Sequence, residues 1–369
     1  MPELFYYKSM RNIIGIDIGT TNIEYILADE KKGPICDLLT PNPLSAFGLD
    51  VMTRISKAND GRLDEMTSLL RVTIKNDIIK LMDDCFARSG LQISIVDIAG
   101  INIAANTTMV HILMNYDCSY LGSYPFSPVH IEAIKTDSDS LGFTASVPIP
   151  VNITQGFSAF VGGDIYSGLK TLPDCDDYLF IDLGTNAEMV LCLGNTAYIT
   201  SAAAGPAFET CSKGHATDAI DGLIYMLKNG IMDETGLLTD EFFDSGYDCL
   251  GMHFSQKKIR DMQMAKSAVK TGIDLLIDSA QKDLSIDESF VSTLKVFIAG
   301  TFGYNLDINN CIKLGMFPEW FKDKATAVGN TSLKGTLVTD TDPQKNIREI
   351  FLANLPEFND CYIKNMNFS

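Results

Sequence analysis

The sequence predicts an α/β protein of two lobes, with duplicated mixed β-sheets flanked by helices. Three stretches carry that expectation. The first is Ile13 to Ala28. There the apolar run Ile13-Ile14-Gly15-Ile16-Asp17-Ile18 meets the small, hydroxyl-bearing turn Gly19-Thr20-Thr21-Asn22 and then a second strand. The second, Tyr178 to Leu193, repeats strand, Asp-x-Gly-Thr, strand around Asp182-Leu183-Gly184-Thr185-Asn186. The third, Val296 to Gly303, is a strand ending in the turn Gly300-Thr301-Phe302-Gly303. A repeat spaced this widely implies two related lobes facing each other.

Each hairpin has a chemistry. Gly19 allows a bend and close approach of backbone N–H groups to a ligand, and Thr20 and Thr21 add hydroxyls. Asp17, at the strand end, can hold a magnesium ion through water. Donors plus one metal-directed carboxylate suit a polyphosphate. Taken alone, the segment is also compatible with an ordinary hairpin and a solvated Asp; the second copy argues against that.

Length and composition bound the rest. A chain of 369 residues is long enough for two domains with their own cores. Hydrophobic residues make up 46% and charged residues 21%, as in soluble globular proteins. No apolar run approaches the roughly 20 residues of a membrane helix. Met1 to Arg11 does not resemble a signal peptide, so a cytoplasmic protein is expected. A formal charge of −18 argues against nucleic acid or an anionic membrane as partner. The nine cysteines are scattered without any C-x-x-C, and the four histidines show no H-x-x-x-H. Reduced core thiols are expected, with no zinc site and no ferredoxin-type cluster.

In chain order, Thr40-Pro41-Asn42-Pro43 starts a loop that sets up a helix from about Gly48, with Asp50 and Arg54 one turn apart as a surface ion pair. Leu63 to Arg88 is a long amphipathic helix with Leu69, Leu70, Val72, Ile74, Ile78, Ile79, Leu81 and Met82 as its stripe. Ile93 to Gly100 is a buried strand, and Asn106-Thr107-Thr108 caps a helix in which His111 packs in the core. Phe157 to Ile165 enters a helix crossing between the lobes, capped by Asp164. In the second half, Ser201 to Glu209 is a run of small residues with room for a ligand. Ser255 to Ile277 is the strongest helix; Lys266 lies on it either beside a nucleotide or in a solvated lysine stripe. The expected division is a lead over 1–12, lobe I over 13–172, lobe II over 173–335 and a C-terminal segment over 336–369.

Two phosphate hairpins and an adenosine turn, in this order, resemble the sugar kinase, heat-shock chaperone and actin superfamily (ASKHA), an actin-like ATPase fold of ribonuclease H-like lobes. More narrowly, the chain resembles the ATP-binding region of the reductive activators of corrinoid proteins. The residues that carry this are Asp17 to Thr21, NPLSAFGLDVMTRI (Asn42 to Ile55), NTTMVH (Asn106 to His111), LGSYPFSP (Leu121 to Pro128), FVGGDI (Phe160 to Ile165), IDLGTNAE (Ile181 to Glu188), SAAAGPAFE (Ser201 to Glu209), IRDMQMAKSAVKTG (Ile259 to Gly272), IAGTFGYNLD (Ile298 to Asp307) and VGNTSLKG (Val328 to Gly335).

The resemblance implies ATP and Mg2+ as cofactors and a corrinoid protein as partner. ATP binding or hydrolysis would drive the uphill reduction of Co(II) to Co(I). Family members usually carry an iron–sulfur domain. Here only Met1 to Asn12 precede the first strand, so the electron donor is expected to be a separate protein. A homodimer is compatible. Asp17 and Asp182 are expected to flank the metal and phosphates, with Asp182 orienting the attacking water and Glu209 as a further candidate. Gly19, Thr20, Thr21, Gly184, Thr185 and Asn186 would donate to phosphate; Gly300, Thr301, Gly303 and Lys266 would lie near the adenosine. The alternatives are a small-molecule kinase of the same fold and a non-catalytic ATP-binding docking module.

Overall fold

The computed structural model describes residues 12–143, 148–205, 207–208, 216–300, 306–338 and 345–368. The chain packs as two units. One comprises Met1–Leu172 with Thr331–Pro343, the other Pro173–Asn330 with Gln344–Ser369. The segment 331–343, expected in the second lobe and the C-terminal segment, thus returns to the first unit.

The first unit is built on strands β1 (Asn12–Ile18), β2 (Asn22–Asp29), β3 (Gly33–Pro41), β4 (Ile98–Ala105), β5 (Ile134–Asp137) and β6 (Pro150–Ile153), in sheet order β3-β2-β1-β4-β6-β5. β1, β2 and β3 form an antiparallel meander, and β4 and β6 extend it in parallel. Ile14, Ile16 and Ile18 are fully buried, as the unbroken apolar run requires. Helix α1 (Val51–Lys57) starts on Asp50, whose carboxylate accepts from Thr53 N–H. Helix α2 (Leu63–Ser89) buries Leu70, Ile74, Ile78 and Leu81, while Leu69, Val72 and Ile79 of the expected stripe face solvent. A single carboxylate ties α2 to the sheet: Asp77 accepts from the hydroxyls of Tyr25 (2.9 Å) and Thr40 (2.7 Å). Helix α3 is Thr107–Met114 and α4 is Gly163–Leu169. The short helix Thr331–Gly335 packs on α4 so closely that a Cβ at Gly335 would lie 1.9 Å from the Ser167 carbonyl oxygen.

The second unit repeats the plan. Strands β7 (Asp177–Leu183), β8 (Ala187–Leu193) and β9 (Thr196–Ala202) form the meander. After the small hairpin β10 (Tyr247–Cys249) and β11 (Met252–Phe254), the parallel strands β12 (Lys295–Ala299) and β13 (Ala325–Gly329) extend one side, and β14 (Asn346–Glu349) the other. Helix α5 is Ala216–Lys228, α6 is Gln256–Leu284, α7 is Ile308–Lys313 and α8 is Phe358–Lys364. The duplication reaches individual residues. Asp17 pairs with Glu24 across the hairpin and with Ala104 on the parallel strand; Asp182 pairs with Glu188 and Ala299 in the same way. Among the described residues no helix is long and apolar enough to cross a membrane.

Candidate functional site

The first hairpin is held from behind at three successive carbonyls. Asn42 Nδ2 donates to Gly19 O (2.7 Å), Arg54 Nη2 to Thr20 O (2.7 Å), and Asn42 N–H to Thr21 O (2.9 Å). A trans peptide points its N–H opposite its C=O. Fixing the Gly19 and Thr20 carbonyls inward therefore turns the Thr20 and Thr21 N–H groups outward, the orientation an anion needs. Gly19 does not adopt a positive φ; its lack of a side chain serves close packing, since a Cβ would lie 3.0 Å from Asn22 O. Asn106 adds a side contact. Its Nδ2 reaches Thr20 Oγ1 (3.3 Å) while its Oδ1 caps α3 at Met109 N–H (3.0 Å). Asp17 is half-buried, and its Oδ1 accepts from Ser332 Oγ–H (2.8 Å).

The second hairpin closes on itself through Gly184 N–H to Asn186 O (2.9 Å), with Thr185 at its tip. Asp182 lies under Gly300, which follows β12 at φ +88°. A Cβ there would sit 2.3 Å from Leu183 O and 2.7 Å from Asp182 Oδ1, so glycine is required both for its conformation and for the approach. Beside this hairpin is a small, shallow recess lined by Leu183, Gly184, Ala204, Gly205, Phe208, Val269 and Met316. Its walls are bare backbone and apolar side chains, a surface on which a flat ring can stack.

Among the described residues no three His, Cys, Asp or Glu side chains are grouped to share a metal. Mg2+ carried on a polyphosphate needs only one or two carboxylates and keeps waters for its other positions. Asp17 on the first hairpin and Asp182 on the second are each a single carboxylate of the kind such an ion can use.

Three expectations are corrected by geometry. Lys266 is 1% exposed, and its ammonium donates to the carbonyls of Asn365 (2.7 Å) and Asn367, with the Phe368 ring 5.7 Å away. It clamps the C-terminal segment to α6 and is neither a nucleotide contact nor a solvated lysine. Asp50 and Arg54 do not form a surface pair: Asp50 caps α1, and Arg54 is completely buried behind the first hairpin. Asp164, expected only as a cap, is a half-buried carboxyl at the start of α4 whose surroundings push its pKa up to about 6. The turn before α4 packs on the start of α3, because a Cβ on Gly162 would lie 2.5 Å from the Cα of Asn106. The sequence signal for it was FVGGDI, whose glycines mark that approach.

His111 is a core residue, as expected. Its Nδ1 bonds Thr107 O (2.8 Å) and its Nε2 accepts Val129 N–H (3.1 Å), which places the proton on Nδ1; burial lowers its pKa. Glu209, Thr301 and Gly303 lie outside the described residues. Asn42, Arg54, Asn106 and Ser332, the groups that shape the first hairpin, were not selected as site residues from sequence. Asn42, Arg54 and Asn106 lie inside the quoted motifs NPLSAFGLDVMTRI and NTTMVH, and Ser332 lies in VGNTSLKG.

Comparison with known proteins follows the same division. The corrinoid activation enzyme RamQ of Eubacterium limosum is 26% identical over 430 aligned positions, covering 96% of this chain and 70% of RamQ. The solved structure of a reductive activator for a corrinoid, iron-sulfur protein superposes with a TM-score of 0.80 at 23% identity, a likeness of fold. It covers 98% of this chain, which spans 66% of that protein's length. The model of the RACo middle region matches residues 13–172, and that of the C-terminal domain of RACo, the ASKHA domain, matches 176–235 and 243–369. With the two matched in chain order across nearly the whole sequence, the chain belongs to the RACo family.

Proposed function

We propose that this protein is an ATP-dependent activator that couples binding and hydrolysis of ATP to the one-electron reduction of a corrinoid protein from Co(II) to Co(I), the electron coming from a separate donor. The observation that carries the reading is the duplicated Asp-x-Gly-Thr hairpin in matching sheet register, in a chain of the RACo family. Mg2+, when bound, would be held through a carboxylate such as Asp17 or Asp182 and would offset phosphate charge.

The protein's own groups then have distinct tasks. The outward N–H groups of Thr20 and Thr21, and the Gly184 to Asn186 turn, hold phosphate oxygens. Asp17 is kept in one orientation by Ser332. Asp182, fixed against Gly300, orients the water that attacks the terminal phosphorus. The adenosine lies by Gly300 and the apolar recess.

The test is Co(II)-to-Co(I) conversion, followed by visible absorbance, in a mixture of this protein, a corrinoid protein, ATP and a low-potential reductant. Conversion should require ATP. Asp182→Asn should lower both ATP turnover and conversion by at least about 100-fold while leaving the melting temperature within a few degrees. Wild-type turnover in that variant would refute the assignment. A phosphorylated small molecule as product would indicate a kinase, and partner binding without turnover would indicate a docking module.

A further inference from the structure

Among the described residues, no carboxylate makes a salt bridge to Arg54. Its side chain is 0% exposed, yet every bond it makes is to an uncharged acceptor: Nε to Gly48 O (2.9 Å), Nη2 to Thr20 O (2.7 Å) and Nη1 to Met109 Sδ (3.4 Å). Asp50, one turn away, contributes only a distant field, because its oxygens are committed to the N–H (2.8 Å) and hydroxyl (2.7 Å) of Thr53. Burial draws the guanidinium pKa down to about 10, which leaves it cationic at neutral pH.

A buried cation without a counter-ion is costly, and an apolar side chain of similar volume would often serve the fold as well. Its placement explains its presence. It holds the inner face of the peptide between Thr20 and Thr21, whose outer face presents an N–H. An anion on that N–H is therefore separated from the guanidinium by little more than one peptide, in a low-dielectric setting where charge acts strongly. Asn42 completes the arrangement with neutral bonds to the flanking carbonyls.

We infer that Arg54 is a positioning residue whose buried, unneutralised charge supplies the counter-charge for polyphosphate bound at the first hairpin. This rests on the nucleotide-binding reading above. Its prediction is a loss of affinity graded by ligand charge, which a purely structural residue would not produce.

The experiment measures affinities of the full chain for ATP, ADP, AMP and inorganic tripolyphosphate by calorimetry, in wild type, Arg54→Met and Asp50→Asn. Arg54→Met should weaken ATP and tripolyphosphate by about tenfold or more, ADP less and AMP least. Asp50→Asn keeps a capping acceptor but removes the opposing charge, and should tighten ATP by about twofold. A folded Arg54→Met with wild-type affinity for ATP, or with equal losses for ATP and AMP, overturns the inference. Should Arg54→Met not fold, Asp50→Asn decides, and unchanged or weaker ATP binding overturns it. Wild type that binds neither ATP nor tripolyphosphate overturns it together with the proposed function. Binding of tripolyphosphate, lost in Arg54→Met, without binding of ATP upholds the anion site and refutes only the nucleotide reading.

Discussion

Asp164 shows how surroundings decide what a carboxyl can do. Its pKa rises from the ordinary 3.8 to about 6 because burial penalises the charged form. Between those values the folded protein holds a proton that the unfolded chain has released, so stability falls as pH rises through that window, and above about pH 6 the full cost remains. Asp164→Asn should therefore raise the melting temperature relative to wild type, with the gain growing from pH 4 to 6 and constant above, equivalent to about 1–3 kcal/mol. A gain over wild type that is no larger at pH 7 than at pH 4 would show that burial is not the cause.

Lys266 makes the complementary case. Burial lowers its pKa to about 8, and its partners lie about 100 positions further along the chain, bonded across 99 and 101 residues. Local pattern cannot reveal such a pairing; it shows only a lysine on an amphipathic helix, open to a nucleotide or to solvent. The matching hairpin positions of Asp17 and Asp182 were legible because a strand–turn–strand repeat is written in neighbouring residues. Arg54 was not, because only the folded chain shows that the hairpin and not Asp50 is its partner.

The elements read most easily from sequence were those whose pattern is unbroken. α6 was placed correctly from Ser255 onward but runs on to Leu284. The strands of both hairpins carry dense β-branched or aromatic runs. β3 was missed: Pro34 and Pro41 bracket it, Asp37 interrupts it, and as an edge strand it buries only alternate residues, Cys36, Leu38 and Thr40. α2 was placed to within a residue, yet its buried face was misread. Apolar residues surround it, and 3.6-residue geometry selects Leu70, Ile74, Ile78 and Leu81 over Leu69, Val72 and Ile79.

A polar contact adds to the apolar packing of that face on the sheet. Tyr25 and Thr40 both donate to Asp77, and burial with that carboxylate alongside raises the Tyr25 pKa. Asp77→Ala would leave two buried hydroxyls without an acceptor and should cost about 2–4 kcal/mol, read as a urea-midpoint shift. Tyr25→Phe, which leaves Thr40 on the carboxylate, should cost about 1 kcal/mol. Equal losses in the two variants would show that the carboxylate and the tyrosine hydroxyl matter only to each other.

For the whole molecule, the chain's route matters more than either sheet alone. The chain leaves the first unit after Leu172 and returns to it for Thr331–Pro343. The returning segment is part of that unit's core and of its site. Ser332 bonds Asp17 and receives the Ser167 hydroxyl on its carbonyl (2.8 Å), Thr336 accepts from Asn102 on its carbonyl (2.7 Å), and Gly335 lies against Ser167. A fragment ending at Leu172 would lose all of these while keeping every strand of its sheet. It should retain far-UV circular dichroism but unfold over a broad urea range and bind a hydrophobic dye, the behaviour of a sheet without fixed packing. Joining residues 331–343 to it through a flexible linker of about 15 residues should restore a sharp transition, because the cost of closing a loop rises only slowly with its length. Tripolyphosphate binding should return with it, since Asp17, Gly19 to Thr21, Asn42, Arg54 and Asn106 all belong to this unit. A fragment that unfolds as sharply without the segment as with it would show that 331–343 only decorates the unit. A fused unit that folds but ignores tripolyphosphate would show that the first hairpin alone is not an anion site.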